Sequence, residues 1–370
     1  MSADLLYSDT ERALAAALDD LLSSRCSWPD VLSGPIDGLW GAVAADLGCS
    51  GLLIGESSGG AGASYREAAV ASEHLGAFVA PVPFLGSAVV ATTALLRAGE
   101  QGEVLKGLAE GTATAAVAIP FASAPGGSVP EGVRVSGPRP GDGPETVRLR
   151  GAVAGVADAL SADVLVVPAE GVPRGLYLVE ASTVRRTPVT SLDMTRQLCD
   201  LSFEDTPARV IASGAAAETA LGAALVAGAG MIAAEALGVA QRCLDMTVAY
   251  VKERRQFARP VGSFQAVKHR LADVWVLVTQ ARAASRYAAA CLASGDQDTA
   301  VAVSLAKAYC CDAAVHAAQE CVQLHGGIGF TWEHPAHLYL KRAKAASIAF
   351  GTPGAHRTSL GTLVDLQPPA

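Results

Sequence analysis

The feature that most constrains the fold is a long apolar helical pattern in the C-terminal half of the chain. It covers about 215–252, contains no proline, and consists largely of alanine, leucine, valine and glycine. A membrane-spanning helix needs about 20 apolar residues, whereas only about 16 uncharged residues lie between Glu218 and Glu235. We therefore expect this segment to be a helix buried inside a globular protein, and we expect no membrane association.

Further helical patterns follow this segment and indicate a helical bundle. Pro260 and Gly262 end the long pattern, Ser263 can cap the next helix, and later helices are expected over about 299–324 and 334–350. The second helix carries an apolar stripe formed by Phe264, Val267, Leu271, Val274 and Val278. Aromatic residues make up only 5% of the chain, so small side chains allow the helices to approach closely. Four helices with short links predict an antiparallel four-helix bundle.

The remaining chain divides into a helical part and a β-rich part. Helical patterns cover about 11–22, 39–47, 65–75 and 87–98, and Asp9 or Thr10 can cap the first of them. Short β-like runs then appear over 146–149, 164–167, 175–179 and 201–203, separated by frequent turns. These runs predict a small antiparallel sandwich or barrel, and without strand–helix–strand alternation no parallel sheet is expected.

The expected architecture is therefore multidomain, with α and β parts. It consists of an α-helical N-terminal domain (1–115), a small antiparallel β-domain (116–212) and a C-terminal four-helix bundle (213–370).

Charge and cysteine content exclude several classes of function. The formal net charge of −8 argues against nucleic-acid binding, because phosphate neutralisation needs clustered Lys and Arg. Eight cysteines occur without a C-x-x-C pair or a His/Cys cluster at metal-ligand spacing, so no metal site is expected. The polar start of the chain predicts no signal peptide. We expect a reducing, cytoplasmic location.

Two separated motifs carry the chemical information. Arg254-Arg255-Gln256-Phe257 offers planar donors suited to phosphate oxygens, and about 70 residues later Gln323-Leu324-His325-Gly326-Gly327 opens the backbone for close approach of a ligand. The alternative for the first motif is a solvated basic helix end, and the alternative for a single glycine is a helix C-cap. A third motif, Gly228-Ala229-Gly230, superficially resembles a dinucleotide fingerprint. Since both of its flanks are helical, close helix packing is the better interpretation.

Taken together, the motifs and their order resemble the acyl-CoA dehydrogenase family of flavoproteins. The resemblance covers nearly the whole chain and is strongest over about 233–351. It includes weaker matches at Gly59-Gly60-Ala61-Gly62, Glu73-His74-Leu75-Gly76, Leu192-Asp193-Met194-Thr195-Arg196 and Phe203-Glu204-Asp205-Thr206-Pro207. It implies FAD as cofactor, with Arg254, Gln256 and Phe257 reaching the FAD of a neighbouring subunit. It also implies that Gln323, Gly326 and Gly327 line the adenosine side of FAD across the interface. The family usually has Gly at the position of Ala258.

The chain departs from the family at the catalytic base. In many relatives a Glu precedes a Gly-Thr pair near the C-terminus, where this chain has Phe350 before Gly351-Thr352. In another branch the base lies on the long helix, at the position of Gly228. The nearest carboxylate is Glu235, two helical turns further on. Glu235 is either a relocated base or a buried carboxylate paired with an Arg.

A second departure lies in the β-domain. Relatives commonly carry Thr-Glu-Pro followed by Gly-Ser-Asp, whose backbone and hydroxyls contact the flavin ring. This chain has Pro120-Phe121-Ala122-Ser123-Ala124-Pro125-Gly126-Gly127 instead. Such losses occur together in non-catalytic partners of heteromeric acyl-CoA dehydrogenases, which are known for bulky substrates such as steroid side-chain thioesters.

The resemblance therefore implies an acyl-CoA dehydrogenase-type flavoprotein acting in fatty-acid or steroid side-chain β-oxidation. We favour a heteromeric enzyme in which this chain is the non-catalytic subunit. The close alternative is an active homo-oligomer using Glu235. Two other readings stay open: a structural helical protein without cofactor and a flavin monooxygenase on the same fold. The implied partners are an acyl-CoA substrate, a second acyl-CoA dehydrogenase subunit and electron-transfer flavoprotein as acceptor.

Overall fold

The computed structural model of the chain describes residues 4–100, 102–127, 132–137, 143, 146–171 and 174–366. Its elements follow the predicted order of a helical part, a β part and a second helical part.

The N-terminal part is helical, as predicted. It contains α1 (Asp9–Arg25), α2 (Trp28–Ser33), α3 (Leu39–Gly41), α4 (Tyr65–Ala77), α5 (Thr92–Arg97) and α6 (Glu103–Ala109). Two of the predicted helices differ in kind, because α3 continues as a π-helix over Ala42–Asp46 and α5 is preceded by a π-helix over Phe84–Ala91. Helix α1 is capped by Ser8 and not by Asp9 or Thr10. The Ser8 hydroxyl accepts from the Glu11 N–H at 3.1 Å, and the Glu11 carboxylate accepts from the Ser8 N–H at 2.6 Å.

The middle part is one seven-stranded sheet in the order β1-β4-β5-β7-β3-β2, with β6 added beside β7. Its strands are β1 (Ala115–Val117), β2 (Val133–Ser136), β3 (Thr146–Ala157), β4 (Val164–Ala169), β5 (Gly175–Glu180), β6 (Arg185–Val189) and β7 (Leu198–Ser213).

One strand pairing corrects the expectation of a purely antiparallel domain. Strand β1 pairs with β4 in parallel, while the other pairings in this sheet are antiparallel. Parallel neighbours need a long connection. Here the connection between β1 and β4 contains the strands β2 and β3. A crossover between parallel strands is usually recognised by its helix, and the described part of this connection has none.

The C-terminal part is a helical bundle whose main helices lie close to the predicted bounds. It consists of α7 (Gly214–Glu253), α8 (Gln265–Ser294), α9 (Thr299–His325), α10 (Ala336–Ile348) and α11 (Pro353–Leu363). A two-residue hairpin, β8 (Arg255–Gln256) with β9 (Arg259–Pro260), joins α7 to α8. The predicted cap is wrong, because Ser263 ends a 3-10 turn, its hydroxyl has no partner, and Phe264 takes the N-cap position.

Helix α7 is the central element of the molecule. By length and composition it could cross a membrane, but 89% of its most apolar 18-residue window is buried inside the fold. Glycines let its neighbours approach: a Cβ at Gly238 would lie 1.8 Å from the carbonyl oxygen of Glu73 on α4, and one at Gly230 would lie 2.6 Å from the Leu292 side chain. The packing interpretation of Gly228-Ala229-Gly230 is therefore confirmed for this mid-helix segment.

Candidate functional site

The arginine motif forms an exposed hairpin at the end of α7. The Arg254 N–H closes the helix by donating to the Tyr250 carbonyl at 2.8 Å, and Phe257 and Ala258 form the tip of the hairpin. Both tip residues have positive φ, 51° and 63°, which a two-residue turn of this type requires and which glycine adopts most easily. The Phe257 side chain is 88% exposed, so the hairpin presents an aromatic ring beside its arginines.

The glycine motif begins a largely exposed 3-10 turn, Gly326–Phe330, directly after α9. Gly326 has a φ of 63°, and a Cβ at Gly326 or Gly327 would meet nothing within 4 Å. Gln323, Gly326 and Gly327 are exposed, while His325 between them is buried. Phe330 and Trp332 follow with 74% and 59% of their surface exposed. Exposed aromatic residues of this kind are typical of interaction surfaces.

A direct contact joins the two motifs. The Tyr250 ring stacks on the His325 ring at a centroid distance of 4.4 Å, and the Tyr250 hydroxyl donates to the His325 carbonyl at 3.3 Å. Tyr250 lies four residues before Arg254, and His325 directly precedes Gly326. The fold therefore brings together two segments that the sequence separates by about 70 residues. The predicted cofactor residues Arg254, Gln256, Phe257, Gln323, Gly326 and Gly327 are all exposed on this surface.

A second group of positions lies together in the interior, away from this exposed surface. They are the positions at which relatives carry the catalytic base and the residues that contact the flavin. A Cβ on Gly228 would lie 2.7 Å and 2.8 Å from two ring carbons of Phe350, so the phenylalanine ring fills the space that the missing side chain leaves. The Phe350 ring also packs edge-on against Phe121 at 5.4 Å. Gly228, Phe350 and Phe121, which occupy positions where this chain departs from the family, therefore form one apolar contact.

Hydrogen bonds fix the Phe350 loop in this position. The Phe350 N–H donates to the Phe121 carbonyl at 2.9 Å, and the Phe350 carbonyl accepts from His356 Nε2 at 2.8 Å. The fully buried Lys307 donates to the Gly351 carbonyl at 2.9 Å. The backbone groups of Phe350 and Gly351 are thus hydrogen-bonded to residues of several different elements. Moving Phe350 out of this position would break several of these bonds.

The space left around this contact is very small. Phe121, Phe350, Asp158 and residues of the adjoining π-helix enclose a cavity of about 20 Å³. A single water needs about 10–15 Å³ on the same measure. In this conformation the interior site therefore holds no ligand larger than water.

Glu235 lies nearby in a buried ionic cluster. Arg342 donates to its carboxylate through Nε at 2.8 Å and Nη2 at 3.1 Å, and Arg196 donates through Nη2 at 2.6 Å. Arg342 also donates to Thr195 Oγ1 at 2.9 Å and lies 3.5 Å from Asp193. The cluster joins α7, α10 and the segment before β7, which corresponds to the paired-carboxylate alternative for Glu235.

The electrostatics of this cluster make Glu235 a weak proton acceptor. Burial alone would raise the pKa of Glu235, but the charges and hydrogen bonds of Arg196 and Arg342 outweigh burial and leave its pKa below the ordinary value. Burial would lower the pKa of Arg342, but the charges of Glu235, Asp193 and Asp158 outweigh burial and raise it. Both shifts describe a fully ionised pair. A general base has instead a pKa near the working pH, so the catalytic role of Glu235 stays a prediction that this geometry disfavours.

Sequence reasoning missed the partners of Glu235 and the buried lysine. Arg342 and Lys307 are 3% and 0% exposed, although each occupies an apolar helical pattern in which a charged side chain looks like a solvated position. The available signal was the helical period itself, because the residues three and four positions away carry no charge: Leu338, Tyr339, Ala345 and Ala346 around Arg342, and Val303, Ser304, Cys310 and Cys311 around Lys307.

Comparisons with known proteins agree with this architecture. The family model described as "Acyl-CoA dehydrogenase, C-terminal domain" matches residues 218–362. Acyl-CoA dehydrogenase IpdE2 of Mycolicibacterium smegmatis is 35% identical over 315 residues, which cover 85% of this chain and 84% of that protein. IpdE2 of Mycobacterium tuberculosis is 33% identical over 317 residues, covering 86% and 83%.

Solved structures give the same result. The ChsE4–ChsE5 complex from Mycobacterium tuberculosis matches with a TM-score of 0.85 and 27% identity, covering 99% of this chain and 100% of that chain. A Tcur3481–Tcur3483 steroid ACAD variant matches with a TM-score of 0.83 and 28% identity, covering 96% and 98%. The predicted fold class, an N-terminal helical domain, a central β-domain and a C-terminal helical domain, is confirmed, and the family is FAD-dependent. The chain belongs to the acyl-CoA dehydrogenase family.

Proposed function

We propose that this chain is the non-catalytic subunit of a heteromeric, FAD-dependent acyl-CoA dehydrogenase. In this enzyme a second acyl-CoA dehydrogenase subunit supplies the flavin-ring site and the catalytic base. The overall reaction is α,β-dehydrogenation of an acyl-CoA thioester. The observation that carries the proposal is the contact of Phe350 with Gly228 and Phe121, because it occupies the interior site with apolar side chains.

The first argument concerns the base. Removal of the α proton requires a positioned carboxylate, and neither Phe350 nor Gly228 can accept a proton. Glu235 is held by two arginines, and its lowered pKa keeps it ionised but weakly basic. An active homo-oligomer using Glu235 would have to release this carboxylate from both arginines inside a buried cluster.

The second argument concerns the fit of the cofactor. When bound, FAD supplies the group that accepts hydride from the β carbon. The cavity of about 20 Å³ beside Phe121 does not fit a three-ring isoalloxazine, so this chain's own interior does not accommodate the flavin ring. The exposed surface does fit the remaining half of the cofactor. Arg254 offers donors for phosphate oxygens, and Gly326 and Gly327 leave open space for a close approach.

We therefore assign Arg254, Gln256, Phe257, Gln323, Gly326 and Gly327 to holding the phosphate and adenosine side of a cofactor whose ring lies in the partner. This division explains why all six residues are exposed in the isolated chain. It also gives a reason to keep a subunit without a base, since the partner's site is incomplete without this surface.

The substrate class follows from the relatives. One similar structure is a steroid ACAD, and the other is the complex of ChsE4 with ChsE5. We propose a steroid side-chain thioester as substrate, with other fatty acyl-CoA thioesters as the broader class. We further propose electron-transfer flavoprotein as acceptor and the cytoplasm as location.

The experiment compares turnover of the chain alone with turnover after co-expression with a neighbouring acyl-CoA dehydrogenase gene. Only the mixture should reduce an electron acceptor with acyl-CoA. Arg254→Ala should lower FAD retention by the mixture about ten- to a hundredfold, because it removes charge-assisted bonds to phosphate. The matched control is Arg97→Ala, an exposed arginine at the end of α5. Turnover by the chain alone, or equal effects of the two substitutions, would refute the proposal.

A further inference from the structure

A larger cavity lies on the other side of Asp158 from the filled interior site. It has a volume of about 450 Å³ and lies where the N-terminal helices meet the β-domain. Its walls come from the segment before α3, the bend at Pro81–Pro83, the entry to β1, the β3–β4 turn and the segment before β7. Asp158 lines both this cavity and the small one beside Phe350. Ligand pockets commonly occur at such domain junctions and in this size range.

The ionic cluster behind this cavity carries an excess of negative charge. It contains three buried carboxylates, Asp158, Asp193 and Glu235, against two guanidinium groups, Arg196 and Arg342. Three negative charges against two positive charges leave one negative charge without a counterpart. Glu235 receives three short hydrogen bonds from the arginines, so the carboxylate without a matching positive charge is another member of the cluster.

Asp158 is the carboxylate of the cluster that lacks a close arginine partner. Its side chain is 6% exposed, its Oδ2 accepts from the Gly86 N–H at 3.0 Å, and its contact with Arg196 is long, at 3.8 Å. Within the described part of the chain, its Oδ1 has no hydrogen-bond partner. Burial raises the pKa of Asp158 and outweighs the attraction of Arg196, so the ionised carboxylate would be stabilised by a further positive charge beside it.

The cavity mouth has the same sign of charge. Asp163 is exposed there and accepts from the Thr114 N–H at 2.8 Å, with no cation among the described residues paired to it. Arg186 beneath the turn does not pair with Asp163 and donates instead to the carbonyls of Leu160 and Ala162 at 2.9 Å each. A positively charged ligand would therefore meet two carboxylates, Asp158 and Asp163, of which only Asp158 lies near an arginine side chain of the described part of the chain, Arg196 at 3.8 Å.

The walls of the cavity define the rest of the ligand. Trp40 is half-buried and lines the cavity, and its indole Nε1 is buried without a hydrogen-bond partner. Because this donor is not exposed to the cavity, the ring of Trp40 and not its N–H is what a ligand can contact. Ile36, Pro81, Pro83 and Met194 supply apolar surface, and the Trp40 ring can attract a cation through its face.

We propose that this cavity binds a small organic cation, with a protonated amine or amidine at Asp158 and a compact ring against the ring of Trp40. The site shares Asp158 with the filled interior site but contains none of the residues assigned above to FAD, and the proposal does not rest on that function. A ligand here would touch Asp158 and Thr195, which belong to the same cluster as Arg342, and would therefore act on the junction of three domains.

Tyramine is a suitable probe, because it combines a primary ammonium group, a ring and a phenolic oxygen. Tyrosol is its neutral analogue and 4-hydroxyphenylacetate its anionic analogue. Calorimetric titration of the full chain should give saturable binding of tyramine at one site per chain. Tyrosol should bind about ten- to a hundredfold more weakly, and 4-hydroxyphenylacetate should not bind.

Two substitutions locate the site. Asp158→Asn should weaken tyramine binding about ten- to a hundredfold, and Trp40→Phe should weaken it by a smaller factor while keeping an aromatic ring. Asp273→Asn, at an exposed carboxylate on α8, is the control and should leave binding unchanged. No saturable tyramine binding, equal binding of the three analogues, or unchanged binding in both variants would each overturn the proposal. Should Asp158→Asn fail to fold, the analogue series and Trp40→Phe still decide the outcome.

Discussion

At the scale of single residues, the proposed function depends on the side chain of Phe350, which fills the interior site. Phe350 is only 4% exposed, adopts a φ of 51°, and occupies the space above Gly228. The sequence identified both positions as departures from the family. It could not show that the two departures touch, because the contact depends on how the loop before α11 returns to α7. A compensating pair of this kind indicates a site remodelled for packing.

The first prediction concerns Phe350. Phe350→Ala should lower the free energy of unfolding by about 3–5 kcal/mol, because it removes a buried ring and leaves a cavity between Gly228 and Phe121. Denaturant titration followed by circular dichroism measures this change. The control is Phe257→Ala at the exposed hairpin tip, where the free energy should change by less than about 0.5 kcal/mol. Equal changes would mean that Phe350 does not hold the interior together.

The second prediction concerns Glu235 and separates structure from catalysis. Glu235→Gln should lower the free energy of unfolding at neutral pH by about 3–5 kcal/mol, since it leaves Arg196 and Arg342 buried without their shared carboxylate. Asp312→Asn, which breaks a surface pair with Arg357, should cost less than about 1 kcal/mol. A variant that keeps its stability but loses turnover in the mixture would instead support Glu235 as the base.

The pH dependence has a definite sign. The folded-state pKa of Glu235 is depressed below its ordinary value of 4.5, so its contribution to stability is present above that value. The contribution is lost as pH falls through the folded-state pKa. The difference between the natural chain and Glu235→Gln should therefore be full at neutral pH and shrink only in the acid range below about 4.5.

At the scale of elements, long periodic segments were predictable and irregular ones were not. Helices α7 and α9 differ from their predicted bounds by at most one residue at each end, because their patterns run for many turns without a breaker. Strands β3 and β7 were recognised only as short fragments. Glycines, Pro207 and register shifts at Leu149/Arg150 and Val153/Val156 interrupt their alternation, although the strands continue through them.

The third prediction tests how α7 packs. Gly238→Ala should destabilise the chain by about 3 kcal/mol, because the added carbon would lie 1.8 Å from the Glu73 carbonyl oxygen and force α4 away from α7. Gly222→Ala on the same helix is the matched control. Its added carbon meets nothing within 4 Å, so it should stabilise the chain by up to about 1 kcal/mol through helix propensity. Thermal unfolding distinguishes the two, and a shift of the same sign in both would contradict this packing.

At the scale of the whole molecule, the proposed function separates two tasks that the family usually combines. The interior site is filled, while the hairpin after α7 and the loop after α9 present arginine, glycine and aromatic groups to the outside. The sequence could predict the exposed half, since it is carried by contiguous motifs. It could not predict the buried cluster of Asp158, Asp193, Arg196, Glu235 and Arg342, because its members come from the β part and the C-terminal helical part of the chain and meet only after folding.

The stoichiometry of FAD tests the central claim most directly. The flavin absorbance and the protein concentration should be measured for the purified chain and for its complex with the partner dehydrogenase. We predict a colourless chain alone and, in the complex, half as many FAD molecules as protein chains. A yellow chain on its own, or a complex with one FAD for every chain, would contradict the account.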